Sequence, residues 1–282
     1  MKNLRIYFVI SLSAVIFLLG SSICKAQGSI QLSDIEIVNL GDKQLYAHKK
    51  GDYNSPVNGK SRIITGVSTE YFDAQFEDGF AIGKWEYYAN NNKTAVMNYV
   101  GGYLDGEFCK YYSGGDLEVK GHYLKGQKHG SWETFKSDGT IKLTEAYEND
   151  KRTKTITHYA DGSVDRERNF KNGKEHGVDR QYTSEGVLRS EKYYVNGKQT
   201  GPQMQLYNSN AGNYIQKSNY NEQGQLDGAY LESYEKNGAV KIKGQYKNGH
   251  KIGKWIYGYS HALSKEEIYE DGKLVKTTLL NK

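Results

Sequence analysis

Apolar and polar side chains alternate along most of this chain in short, clean runs. Stepping back by twos from Tyr123 gives Gly121, Val119 and Leu117; from Tyr246 it gives Gly244, Ile242 and Val240. The positions between are polar: Glu118, Lys120 and His122 in one run, Lys241, Lys243 and Gln245 in the other. A period of two predicts strands with one drier and one wetter face and excludes helix there. Ile141, Val164, Leu188 and Leu263 hold the same place, each six residues before its own aromatic.

These strands recur. An aromatic returns at Phe76, Tyr99, Tyr123, Tyr147, Phe170, Tyr194, Tyr220, Tyr246 and Tyr269, with gaps of 23 to 26 residues. Glycine follows most of them after three residues, and a second glycine comes four further on. A fixed period of this length marks a repeat architecture. Each repeat opens with a glycine and an aromatic strand, as in Gly83-Lys84-Trp85-Glu86-Tyr87-Tyr88. A turn follows, tipped by Asp138-Gly139, Asp161-Gly162 or Asn237-Gly238, dipeptides that favour two-residue hairpins. The second strand then runs to the marker aromatic. The expected fold is all-β: an elongated, twisted, single-layer antiparallel meander of about eight stacked β-hairpins. Its roughly 16 strands would span about 75–80 Å. Such arrays are held by neighbour contacts and need atypical ends as caps. The expected organisation is a signal peptide over 1–26, a capping segment over 27–69 and the repeat array over 70–282. Leu32, Ile35, Ile37, Val38 and Leu40 are the capping apolar residues.

The unit Gly-x-aromatic-x-x-Tyr, a glycine turn, then Tyr-x-x-Gly-x-x-x-Gly resembles the bacterial variant of the MORN repeat. The run from Gly244 through Tyr246, Gly249 and Gly253 to Trp255 carries the likeness most clearly. It extends over roughly residues 70–275. The resemblance implies a β-hairpin array serving as a recognition surface, with no catalytic residues. Bacterial relatives of this kind are grouped as antitoxin components of toxin–antitoxin systems. Two places depart from the pattern: Thr155 and His158 replace aromatics, and 208–213 holds a short insertion.

Composition narrows the class. The 282 residues are 37% hydrophobic and 13% aromatic, too apolar for a disordered chain. Tyr supplies 25 of the aromatics against 8 Phe and 3 Trp, which suits a thin, half-wet interior. At the N-terminus, Lys2 and Arg5 precede an apolar stretch from Ile6 to Gly20 and a small-residue end at Ala26. That order predicts a secretory signal peptide cut before Gln27, its apolar run too short to span a bilayer. Loss of Lys2, Arg5 and Lys25 takes the net charge from +5 to +2, which removes the electrostatic case for nucleic acid. Cleavage also removes Cys24 and leaves Cys109 alone, so no intramolecular disulfide is expected. Lipoprotein anchoring at Cys24 is the competing outcome, and Ile23 fits a lipobox poorly.

Reactive chemistry is sparse. His129, His176 and His250 fall in the Gly-x-x-x-Gly turns. Two repeats separate His129 from His176, roughly 19 Å, whereas zinc ligands converge within about 2 Å of one ion. Turn acids such as Asp78 and Asp271 lack a cleft to face each other across, and no helix follows the glycines to make a phosphate loop. Cys109 reads as an inert, half-buried thiol. No catalytic, metal or cofactor site is expected. Trp85, Trp132 and Trp255 remain as candidate partner-contact residues, because the same place holds Phe108, Thr155 and Asp179 in other repeats. The expectation is therefore an exported, non-enzymatic, monomeric protein- or peptide-binding module of the bacterial periplasm or envelope. An antitoxin-like inhibitor of a partner toxin and a glycan binder using the Tyr/Trp face stand as alternatives.

Overall fold

The computed structural model describes residues 28–210, 212–259 and 262–280. The signal segment, with Cys24 and the Ala26 cleavage position, lies outside the described residues. The protein is all-β, and the helical exception among the described residues is one 3-10 turn at Leu32–Asp34. The chain forms two compact units, one of residues up to 140 together with 147–150, the other of 141–146 and 151 onward.

The first unit opens with five short strands: β1 (Ser29–Gln31), β2 (Ile35–Asn39), β3 (Leu45–Lys49), β4 (Asp52–Pro56) and β5 (Gly59–Ile64). Six longer ones follow: β6 (Tyr71–Glu77), β7 (Phe80–Ala89), β8 (Asn92–Val100), β9 (Tyr103–Tyr111), β10 (Leu117–Leu124) and β11 (Gln127–Phe135). From β5 to β11 each strand pairs antiparallel with the next. β1 departs from a pure antiparallel meander by running parallel to β5. In the second unit, β12 (Ile141–Glu148, of which 141–146 belong here), β13 (Lys151–His158), β14 (Val164–Lys171), β15 (Lys174–Tyr182), β16 (Leu188–Val195) and β17 (Lys198–Tyr207) come first. β18 (Tyr214–Tyr220), β19 (Gly228–Tyr234), β20 (Val240–Lys247), β21 (His250–Tyr259), β22 (Ala262–Glu270) and β23 (Lys273–Leu279) complete it. The region from β6 to β23 holds 18 strands rather than about 16, since each of the nine marker aromatics closes one strand and precedes another.

The two kinds of turn are exchanged relative to the sequence expectation. Two-residue turns follow the marker aromatics, with both central residues at positive φ: Lys125 and Gly126 (47° and 75°), Asn172 and Gly173 (52° and 75°), Asn248 and Gly249 (47° and 83°). That is the type I′ geometry whose twist matches paired strands. At Asp138-Gly139 only the glycine is left-handed, and Gly139 N–H donates to the Lys136 carbonyl while Lys136 N–H donates to Thr140. The result is a three-residue loop ending in a glycine bulge. Asp138 there accepts from Thr140 N–H at 2.8 Å, which suits a residue that stays right-handed.

The core of the first unit forms where residues 28–65 meet the first aromatic repeats. Ile35, Ala47, Val57 and Ile63 are buried with Phe72, Phe76, Trp85 and Tyr99, and Leu32 and Ile37 pack on them half-buried. Leu40 is 43% exposed and takes no part. Residues 43–47 cross three successive turns: Lys43 Nζ donates to the Gly126 carbonyl, Leu45 N–H to Gly102 and Ala47 N–H to Gly79. This strap needs bare backbone beneath it. A Cβ on Gly102 would stand 2.7 Å from the Leu45 carbonyl oxygen, at a φ of +86°.

Alanine at Gly139 (φ +82°, with open space around it) should cost only the backbone penalty, about 1 kcal/mol. Gly102→Ala adds the collision with the strap and should cost roughly 2–4 kcal/mol. Chemical denaturation of the pair measures the difference, and equal losses would show that the strap is not held at this turn.

Candidate functional site

The three tryptophans are interior residues. Trp85, Trp132 and Trp255 are 1%, 5% and 1% exposed, so none presents a surface to a partner. Their burial follows from a bulge repeated in the strand that carries each. Between Lys120 and His122 the single residue Gly121 of β10 faces Gly130, Ser131 and Trp132 of β11, and between Lys243 and Gln245 the single residue Gly244 of β20 faces Gly253, Lys254 and Trp255 of β21. A Cβ on Gly121 or Gly244 would lie 2.2–2.3 Å from the indole of Trp132 or Trp255. The missing side chain is the space the indole occupies. Two marker aromatics and the ring at the same place one repeat earlier close the box: Trp132 lies 5.0 Å from Tyr123, 5.4 Å from Phe108 and 6.3 Å from Tyr147. Trp255 repeats this with Tyr246, Tyr230 and Tyr269 at 4.9, 5.7 and 6.3 Å. A lysine four residues earlier roofs each indole, Lys128 Nζ at 4.1 Å and Lys251 Nζ at 4.3 Å. Burial lowers the Lys251 ammonium from its ordinary value.

The inference that Thr or Asp at this place frees its large residues for binding fails for a physical reason. The place is buried at Trp85, Trp132, Thr155, Asp179, Gln203 and Trp255 and half-buried at Phe108, so it faces inward whatever it holds, and several of its polar variants find partners there. Trp85 Nε1 donates to the carbonyls of Gln75 and Ile82, both at 3.2 Å. Gln203, 8% exposed, puts its amide on the equivalent pair, Thr200 at 3.1 Å and Tyr193 at 3.5 Å. Asp179 instead receives the fork of Arg166 at 2.8 and 2.5 Å. Glu267, which stands two residues before Tyr269 as Gly121 and Gly244 stand before their markers, is 7% exposed, and Lys265 Nζ (2.7 Å) and Tyr269 Oη (3.0 Å) donate to its carboxylate. Those donors, Lys265 first and then the Tyr257 hydroxyl, hold it down to about 2.

The other candidates fit structural roles. His176 Nδ1 accepts from the Asn196 amide at 3.5 Å and braces the next turn. The Cys109 thiol is buried and pushed up by that burial. No group of three or more potential metal ligands occurs among the described residues.

The feature that alternation did not single out is a cleft in the first unit, a cavity of about 610 Å³. The doublets Tyr87-Tyr88 and Tyr111-Tyr112 end β7 and β9 in the same phase, and with Tyr71 and Tyr123 they line it. Phe72, Met97, Leu104 and Phe108 form its apolar floor. Tyr71 and Tyr88 stack at 4.7 Å, with the Arg62 guanidinium 4.0 Å over Tyr71. Tyr88 Oη donates to Glu86 at 3.0 Å, and Tyr112 Oη to the Phe135 carbonyl at 2.7 Å, which fixes both rings. Lys110 and Glu118 face each other on the wall at 2.8 Å. Burial raises the phenols of Tyr87, Tyr88 and Tyr111, so these rings present neutral hydroxyls. The sequence signal was the doublet, recurring 24 residues apart.

No protein-family model matches this chain, and no curated protein matches it. The site therefore rests on its geometry: a rigid, aromatic recess with a few hydrogen-bonding groups at its wall.

Two outcomes follow. Trp132→Ala should cost about 3–5 kcal/mol, and Tyr123→Ala, truncating a half-buried ring, distinctly less; chemical denaturation gives the order. In acid, Glu267 has a folded value near 2 against an ordinary 4.5, so its stabilisation is complete above about pH 4.5 and disappears as the pH falls towards 2. Melting curves of Glu267→Gln across that range should lack this part of the acid loss.

Proposed function

We propose that this chain is an exported, non-enzymatic MORN-like repeat protein that binds a protein or peptide partner through the tyrosine cleft of its first unit. The cleft carries the reading. Tyrosine offers large contact area at low conformational cost and is enriched where proteins meet. A volume of about 610 Å³ suits one or two side chains of a partner segment. Hydroxyl bonds at Tyr88 and Tyr112 and the stacked Tyr71 pre-order the walls, which reduces the entropy lost on binding. A second reading, glycan binding, is favoured by the same flat rings, which match the faces of sugars.

A photo-reactive phenylalanine analogue at Tyr111, in protein added to envelope extract, should form a crosslink to a polypeptide. Tyr88→Ala should reduce that capture, and Trp255→Phe, outside the cleft, should not. Competition by soluble glycans, with no polypeptide crosslinked, would transfer the cleft to the sugar reading. Equal capture by Tyr88→Ala would take the partner away from the cleft altogether.

A further inference from the structure

The tyrosine cleft continues into a second recess. Its lining follows β9 from Tyr111, the last residue of that strand, to Leu104 near the first. Leu104 and Tyr123 also line the second recess, a cavity of about 270 Å³. Asn39 of β2 and Lys43 and Leu45 of the strap border it, together with Tyr99 and Lys128 of the repeats. The strap closes this end. Leu45 N–H donates to the Gly102 carbonyl just ahead of β9, and Lys43 Nζ to the Gly126 carbonyl just after β10. A segment laid along the cleft from Tyr111 therefore arrives at a barrier.

The charges in the recess do not balance. Asp150 is occupied by Lys43 Nζ and by the backbone N–H of Lys128, the latter at 2.8 Å. Asp150 and Lys43 cancel, which leaves the Lys128 ammonium 4.1 Å over Trp132 and 4.8 Å over Tyr147. Ring faces attract the cation, but no oxygen among the described residues accepts from its N–H groups. The same device in the second unit is complete: Lys251, over Trp255, donates to Tyr257 Oη at 2.9 Å. Thr134 holds the place of Tyr257, two residues past its tryptophan, and makes no such bond. Other donors line the recess without acceptors among the described residues. They are Tyr123 Oη and Asn39 Nδ2, the Asn39 oxygen being taken by Gly41 N–H at 2.9 Å.

We propose that this recess takes the C-terminal carboxylate of the partner's segment. The last side chain, aliphatic, would lie against Leu45, Leu104 and Tyr99, with the preceding residues extended along the cleft. A carboxylate is acceptor-only, which matches a site that offers donors and one unbalanced positive charge. The strap favours a chain end, because an acidic side chain in mid-segment would need its backbone to continue past Lys43 and Leu45. The proposal rests on the protein-partner reading of the cleft and adds the chemistry of the occupant.

Two pools of random N-acetylated heptapeptides, one with free C-terminal carboxylates and one with C-terminal amides, test it on the immobilised full chain. Capture from the acid pool should exceed that from the amide pool about tenfold or more, the scale of one hydrogen bond to a charged group. Aliphatic residues should be enriched at the last position. Lys128→Met, which keeps a stem over Trp132 and removes the charge, should abolish the difference, and Lys128→Arg should retain it. Lys251→Met, which removes the matching charge of the second unit, should leave it unchanged. Tyr88→Ala should lower capture from both pools without altering their ratio. Equal capture from the two pools, or amide peptides selected for internal Asp or Glu, would overturn the terminal carboxylate and leave the cleft standing. Capture from neither pool would remove the peptide reading of the cleft as well. The comparison of pools on the unaltered chain stays decisive if Lys128→Met does not fold.

Discussion

The structure depends on one recurring constraint: at each bulge, a side chain of the bulged strand must turn inward and fill the space enclosed there. Surplus residues in one strand of a pair tilt the ladder and leave carbonyls unpaired beside an enclosed space. Whatever enters must fill that space, and it can also meet those carbonyls. At Trp85 the indole does both. At Trp132 and Trp255 the indole is larger than the space until the facing residue shrinks to Gly121 or Gly244. Bulge, glycine and tryptophan are one device, and its energy comes from packing, because these two indole N–H groups make no hydrogen bond to the described residues.

The same enclosure accepts different chemistry along the chain. In the first unit it is aromatic and joins the aliphatic core supplied by residues 28–65. In the second it holds Thr155, Asp179 and Gln203 as well as Trp255, and Glu232 and Glu267 are buried on the strands beside it. A carboxylate there is tolerable only with its donors in place, as Arg166 is for Asp179 and Lys241 and Tyr230 are for Glu232. Arg166 and Lys241 come from neighbouring strands and Tyr230 from Glu232's own strand, so an ion pair closes the layer as a ring would. This accounts for a composition rich in tyrosine and charge and poor in aliphatic bulk.

Strand identity and period were legible because alternation and a 23–26-residue repeat are local properties of the chain. Turn chemistry was half legible: Asp-Gly and Asn-Gly marked the turns, but which turn took two residues depended on the left-handed pair after each marker aromatic. The tryptophans were misjudged on one ground. Variation at a position was taken to mean tolerance, whereas burial at 1–5% with a changing partner shows a fixed space and variable chemistry. Gly121 and Gly244, two residues before their markers, already carried that information, because a glycine in mid-strand signals close approach of another group. The tyrosine cleft needed β7 and β9 on either side of β8, a tertiary fact that the doublets at 87–88 and 111–112 mark only by their shared phase.

These constraints also decide where recognition has room to occur. An interior one side chain thick spends its tryptophans on itself, and the strand faces are tied up in cross-strand ion pairs such as Arg62–Asp73 and Arg180–Glu191. What remains unsaturated lies at strand ends. At the ends of β7 and β9, tyrosine doublets extend past the last buried tryptophan and enclose a recess that the repeats do not fill. Binding in such an array falls where the repeat's own pairing leaves a surface that its side chains do not fill.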